Sequence, residues 1–149
     1  MTDSEDGTIL LWLKRAAGFF AVLTLLSPVA TYGAEPQKIK PPWEAPEGDK
    51  KAKNPVKVTR EGLNEAAKLY LQNCLICHGK TGAGNGPQAK KLPQKPANFT
   101  DAKMMSKVTD GELFWKMSTG RPPMPAWQAQ LSDTQRWQLV NYIRTFAGR

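Results

Sequence analysis

The 149-residue chain contains only two cysteines and one histidine. That scarcity excludes a four-ligand cysteine/histidine zinc site within one chain. It also excludes a scaffold held by several disulfides. Long apolar runs are missing except near the N-terminus, so the chain is not a polytopic membrane protein. No run of alternating apolar and polar residues argues for a substantial strand, and no internal repeat is visible. Acidic residues are in the minority, 13 against 21 Lys plus Arg, for a formal charge of +8. A basic balance suggests an acidic partner surface, nucleic acid or anionic lipid. What is present suffices for one domain with a core: 40% of the residues are hydrophobic and 9% aromatic, which argues against full disorder.

The first 34 residues differ from the rest. Lys14 and Arg15 precede 19 uncharged residues, Ala16 to Ala34, with an apolar heart from Ala16 to Leu26 and an interruption at Pro28. Basic, apolar and small residues in that order make a secretory signal peptide, with cleavage after Ala34 or Gly33. The rival is an uncleaved membrane anchor, since 19 residues barely span ~30 Å of hydrocarbon. The short, proline-ended heart favours the signal. Acidic Asp3, Glu5 and Asp6 before Lys14, and Tyr32 where a small residue is preferred, count against it. Both readings export the remainder, and residues 9–30 are where a membrane contact would lie.

Residues 35–58 read as a linker rich in proline and lysine, with little apolar periodicity and therefore no core of its own. Trp43, its one large apolar group, reads as a docked tail residue in preference to a partner contact. From Thr59 the pattern turns helical. Leu63, Ala66, Ala67, Tyr70 and Leu71 fall on one face. Gly79 and the run Gly82-Ala83-Gly84-Asn85-Gly86-Pro87 end that helix, and residues 79–108 read mostly as loop. Thr109 and Glu112 fit a capping box opening a second helix that ends at Gly120. Ser132 and Gln135 open a third, with an apolar stripe of Leu139, Val140, Ile143, Phe146 and Ala147.

The chemistry centres on Cys74-Leu75-Ile76-Cys77-His78. Two thiols three residues apart at a helix end can add to neighbouring vinyl groups of one haem, and the adjacent histidine is then held beneath the iron. Cys-x-x-Cys-His is the c-type haem attachment signal. A thiol-disulfide redox pair is an alternative, as is half a zinc site or a chance structural pair. The zinc reading lacks its other ligands. The redox reading usually follows a strand, and a helical pattern precedes the motif here. Haem is the favoured reading, with His78 as one iron ligand.

A thioether is the usual sixth ligand of an electron carrier. Met104, Met105, Met117 and Met124 are available. Met117 sits inside the second helix, where core packing is its natural role. Met104 and Met105 are reserves in a loop. Met124 lies in Arg121-Pro122-Pro123-Met124-Pro125-Ala126-Trp127, a loop stiffened by three prolines and far from His78 in sequence. It is the favoured ligand.

With these motifs in order, residues 60 to 149 resemble the class I cytochrome c family, in particular its short bacterial members. The resemblance implies an all-α cytochrome c domain over residues 59–149, its N- and C-terminal helices crossing near Gly62 around one covalently bound haem c. Tyr70, Ile143 and Phe146 would pack at the crossing. It implies that the Pro87 carbonyl accepts the Nδ1 proton of His78. Trp127 and Arg121 become candidates to face a haem propionate, with core packing and a solvated charge as their rivals. Pro96-Ala97-Asn98-Phe99-Thr100-Asp101 and Gly111-Glu112-Leu113-Phe114-Trp115-Lys116 are similar to monohaem subunits of bacterial respiratory complexes.

One-electron transfer is the expected function, in a periplasmic carrier or a tethered subunit of a respiratory complex. The alternative is a haem-based ligand-binding or redox-sensor module with a labile sixth ligand. No feature argues for an enzyme: iron with two protein ligands offers no open position, and no second histidine serves as acid or base. From Glu35 onward the chain has 19 basic and 10 acidic residues, and lysines flank the haem-contacting segments. If they cluster, they steer the protein to redox partners with an acidic docking surface. Export argues against nucleic acid.

Overall fold

The computed structural model describes residues 43–148, all within the second of the chain's two units, Lys40–Arg149. The signal-or-anchor reading of residues 1–34 and the start of the linker lie outside the described residues. In chain order the helices are α1 (Glu47–Lys50), α2 (Arg60–Asn73), α3 (Leu75–His78), α4 (Ala102–Met105), α5 (Asp110–Thr119) and α6 (Asp133–Ala147). Two 3-10 turns, Ala89–Lys91 and Trp127–Ala129, complete the set, and there is no strand among the described residues. The all-α expectation holds.

The long helices begin where the sequence supplies a hydroxyl to the orphan amides of a first turn. Thr59 Oγ1 accepts from Gly62 N at 3.0 Å. Ser132 and Gln135 form a complete capping box opening α6. At α5 only half of the expected box exists. Thr109 Oγ1 accepts from Glu112 N at 3.1 Å, but the Glu112 carboxylate pairs with Lys116 at 2.6 Å. Gly120 ends α5 with φ 63°, and an added Cβ there would lie 2.5 Å from Ala126 N.

The core forms where α2 and α6 pack, with α5 against α6. Tyr70, Leu139, Val140 and Phe146 are completely buried. The Tyr70 and Phe146 rings lie 5.2 Å apart. Gly62 faces Gln138 of α6, and a Cβ on it would meet Gln138 Nε2 at 3.4 Å. The apolar face of α2 is narrower than expected. Ala66 and Tyr70 are buried, whereas Leu71, about 100° round the helix from Tyr70, is 48% exposed. Two residues of α6 outside the expected stripe are also buried, Arg136 and Trp137. The Arg136 guanidinium bonds to Ser118 and Asp133 and lies over Phe114, which stacks on Trp137 at 4.0 Å.

The linker reading needs correction from residue 43 onward. Asn54 Nδ2 donates to the Trp137 carbonyl at 3.1 Å and to Asn141 Oδ1 at 2.9 Å. Asn141 Nδ2 returns a bond to the Val56 carbonyl at 3.0 Å. Thr109 Oγ1 donates to the Lys50 carbonyl at 2.7 Å. Gly111 lies so close to the α1 backbone that any Cβ would overlap the Asp49 carbonyl oxygen. Apolar periodicity is not the only way to dock a segment: an amide network and one missing side chain hold this one.

Candidate cofactor site

Helix α2 passes almost directly into the single turn α3, and this sets the motif's geometry. Cys77 N and His78 N both donate to the Cys74 carbonyl, at 3.2 and 2.9 Å. One helical turn places positions i, i+3 and i+4 on the same face. Cys74, Cys77 and His78 therefore share the wall of one cavity, while Ile76 points outward at 47% exposure. Gly79, at φ 80°, turns the chain away, and its carbonyl accepts the buried Tyr70 hydroxyl at 2.8 Å. The glycine-rich loop then folds back along the motif. Gly84 N bonds to the His78 carbonyl at 2.8 Å and Gly86 N to the Cys77 carbonyl at 3.1 Å.

This fold-back moves Pro87 away from its expected role. Gln88 N bonds to the Ile76 carbonyl at 2.9 Å, so the segment runs along the outer side of α3. Pro87 is exposed and is not among the cavity-lining residues. The carbonyl facing His78 Nδ1 belongs to Ala97, at 3.4 Å. A carbonyl can only accept, so this contact favours the tautomer with the proton on Nδ1 and the lone pair on Nε2. Phe99 stacks on the imidazole with ring centroids 4.7 Å apart. Burial holds the His78 pKa below its ordinary value, against the opposing pull of the Ala97 carbonyl, and so favours the neutral ring that ligates metals.

The two cysteines are free thiols. Burial, with a smaller contribution from Cys77, pushes the Cys74 thiol up to about 12. A thiol-disulfide redox site needs the opposite shift, toward thiolate at neutral pH. Among the described residues no three His, Cys, Asp or Glu side chains converge on a point, which leaves the zinc reading without ligands.

Across the cavity, Arg121 and Met124 close a tight hairpin. Arg121 N donates to the Met124 carbonyl at 2.9 Å and Met124 N to the Arg121 carbonyl at 2.8 Å. Pro122 and Pro123 form the tip, and Pro125 follows. Met124, Arg121 and Trp127 all line the cavity. So do Met104, Met105 and Met117, the last two buried in the core. Lining alone therefore does not choose the sulfur.

The cavity holds about 520 Å³ and is walled mainly by apolar side chains, with Lys95, Lys116 and Arg121 among its polar ones. That size suits a cofactor. Two thiols, a neutral imidazole and a thioether form a donor set that fits a covalently attached haem, and the cations fit its carboxylates. Ala97, Phe99 and Trp43 are among the lining residues that had no such role in the sequence reading. Ala97 belongs to the Pro96–Asp101 stretch that carried part of the family likeness. Trp43, the lone large apolar group in a proline-rich segment, carried no signal of the cavity.

Residues 61–143 match the family model described as cytochrome c oxidase, cbb3-type, subunit III. The cbb3-type cytochrome c oxidase subunit FixP of Bradyrhizobium sp. (strain ORS 278) is 31% identical over 94 residues, covering 60% of this chain and 30% of that protein. Cytochrome c6 of Euglena gracilis is 29% identical over 82 residues, covering 55% of this chain and 90% of that protein. A solved chain of a reducing HAO-like protein complex from Kuenenia stuttgartiensis superposes with a TM-score of 0.54 at 29% identity, over 62% of this chain and 46% of that one. The chain thus matches about 30% of the length of its FixP relative. The cavity's donor set and the extent of the family match agree, and the chain belongs to the cbb3-type subunit III family as a monohaem class I c-type cytochrome with covalently bound haem c.

Proposed function

We propose that this protein carries single electrons at a haem bound through Cys74 and Cys77, with His78 and Met124 as the two iron ligands. The observation that carries the reading is the convergence of these four side chains on one cavity. When bound, the haem supplies a one-electron Fe(III)/Fe(II) couple. Cys74 and Cys77, free thiols on the cavity wall, would hold it through two thioether bonds, each made by adding S–H across a carbon–carbon double bond of the haem with no oxidant consumed. Ala97 favours a proton on His78 Nδ1, which would leave Nε2 free to hold the iron. The hydrogen-bonded, proline-tipped hairpin gives Met124 little freedom, so little entropy is lost when its sulfur binds. That distinguishes it from Met105 and Met117, whose burial in the core already accounts for them. Trp127 and Arg121 would face the haem propionates, and Leu113, Val108 and Ile143, which also line the cavity, would keep water from it.

Electron-carrier relatives support a carrier in preference to an enzyme. A labile sixth ligand finds no support in the closed Arg121–Met124 hairpin. FixP is named as an oxidase subunit, and another relative, 29% identical over 85 residues, as the cytochrome c subunit of a quinone alcohol dehydrogenase from Gluconobacter oxydans. We therefore place the haem domain on the extracytoplasmic face of the membrane, as a carrier for, or a tethered subunit of, a respiratory complex. No helix among the described residues is long and apolar enough to cross a membrane. Lys95, Lys116 and Arg121 at the cavity would favour an acidic partner surface.

The test combines mass and spectrum. The native protein should carry the mass of one haem that survives acid-acetone extraction, and Cys74→Ser or Cys77→Ser should weaken attachment. Met124→Ala should abolish the ferric sulfur-to-iron band, lower the potential and admit carbon monoxide. Extractable haem, or a Met124→Ala protein with an unchanged spectrum, contradicts the assignment.

A further inference from the structure

We propose that Trp43, brought in by the docked segment 43–56, is a wall of the haem cavity and a residue that sets the haem potential. The segment precedes the family match at residue 61, so the family's own helices do not supply this wall. Trp43 is half-buried and lines the same cavity as Cys77, His78 and Met124. Lys116, itself a lining residue, has its ammonium 5.6 Å from the centre of the indole ring and 2.6 Å from the Glu112 carboxylate. The ring therefore lines the cavity beside a fixed cation.

The segment's attachments lead to this placement. It has no apolar stripe to bury, yet it is fastened through Asn54 to α6 and through Thr109 and Gly111 to the first turn of α5. Immediately before α1, Ala45 is 4% exposed. The contacts at Asp49 and Lys50 fix the chain against α5, and buried Ala45 lies two residues from Trp43.

A large apolar ring at the cavity removes water from the surroundings of the iron. The ferric centre carries one more positive charge than the ferrous one, so a drier surround disfavours it and raises the potential. The inference rests on the haem reading above.

The test uses the full-length haem-loaded protein, after its covalent haem and sulfur-to-iron band have been verified. Absence of those features contradicts the earlier reading and leaves Trp43 out of account. Trp43→Ala should keep the band and shift the ferrous-to-ferric ratio at fixed ambient potential about three- to tenfold toward ferric, tenfold being ~59 mV for one electron. Trp43→Phe should restore most of it. Gly111→Ala, which drives the segment off α5, should give the same shift. It should also raise tryptophan emission, because Trp43 then leaves the quenching range of the haem. In Gly111→Ala with Trp43→Phe that rise should vanish. A Trp43→Ala protein with an intact band and an unchanged ratio overturns the proposal. So does Gly111→Ala without the Trp43-dependent rise in emission.

Discussion

At the scale of single residues, chemistry and support come from different places. Cys74, Cys77 and His78 are adjacent in sequence, and one turn of helix is enough to bring them to one wall. Their supports come from outside the motif: Ala97, beyond the loop, for the His78 ring, and Tyr70 of α2 for the turn at Gly79. Tyr70→Phe removes one of the two donors to the buried Gly79 carbonyl, which keeps Gly82 N at 3.1 Å. It should cost about 0.5–1.5 kcal/mol of stability, measured by denaturant unfolding of the haem-loaded protein. The spectrum should stay that of a six-coordinate iron, since the hydroxyl supports the turn and does not touch the ligands. The Pro87 expectation failed for a physical reason of the same kind. Which carbonyl meets an imidazole depends on how a glycine-rich loop folds, and spacing along the chain does not encode that.

At the scale of elements, helix starts were legible because caps are local. Thr109 and Ser132 stand at the N-caps expected of them, and Thr59, where the helical pattern begins, caps α2. The short helices α1 and α4 were not legible, since one turn of helix has too few residues to show a period. What joins the elements is Arg144. Its guanidinium donates to Asp110 Oδ1 at 2.7 Å, to the Met105 carbonyl at 2.7 Å and to the Val108 carbonyl at 2.6 Å. It ties α6 to the start of α5 and to the turn after α4. Arg144→Ala removes three charged hydrogen bonds and should destabilise the protein by about 2–4 kcal/mol. Arg144→Lys should recover only part of this, because a point charge cannot span three acceptors in a plane. Thermal unfolding of both variants checks it. Loss of rigidity around Met105, a cavity residue, should broaden the haem spectrum in Arg144→Ala.

At the scale of the whole molecule, charge is the property that acts at a distance. The chain carries a formal charge of +8, and Lys95, Lys116 and Arg121 are among the cavity-lining residues. If the protein diffuses to an acidic partner, electron transfer should slow as salt rises from 0.1 to 1 M, over which the Debye length falls from ~10 to ~3 Å. Stopped-flow rates with the native partner read this directly. A rate indifferent to salt would mark a subunit already docked in its complex, and would remove the steering argument while leaving the haem assignment intact.

The sequence by itself determined the cofactor chemistry and the three main helices. Both are written in contiguous residues: a five-residue motif, hydroxyl caps, and apolar residues at helical spacing. The tertiary structure decided which carbonyl orients His78, which side chains close the cavity, and that residues 43–56 dock on the domain. Those features join residues as far apart as Asn54 and Asn141, through amide hydrogen bonds, and Asp49 and Gly111, through a missing Cβ. No periodicity along the chain records such contacts, because they exist only once α5 and α6 are in place.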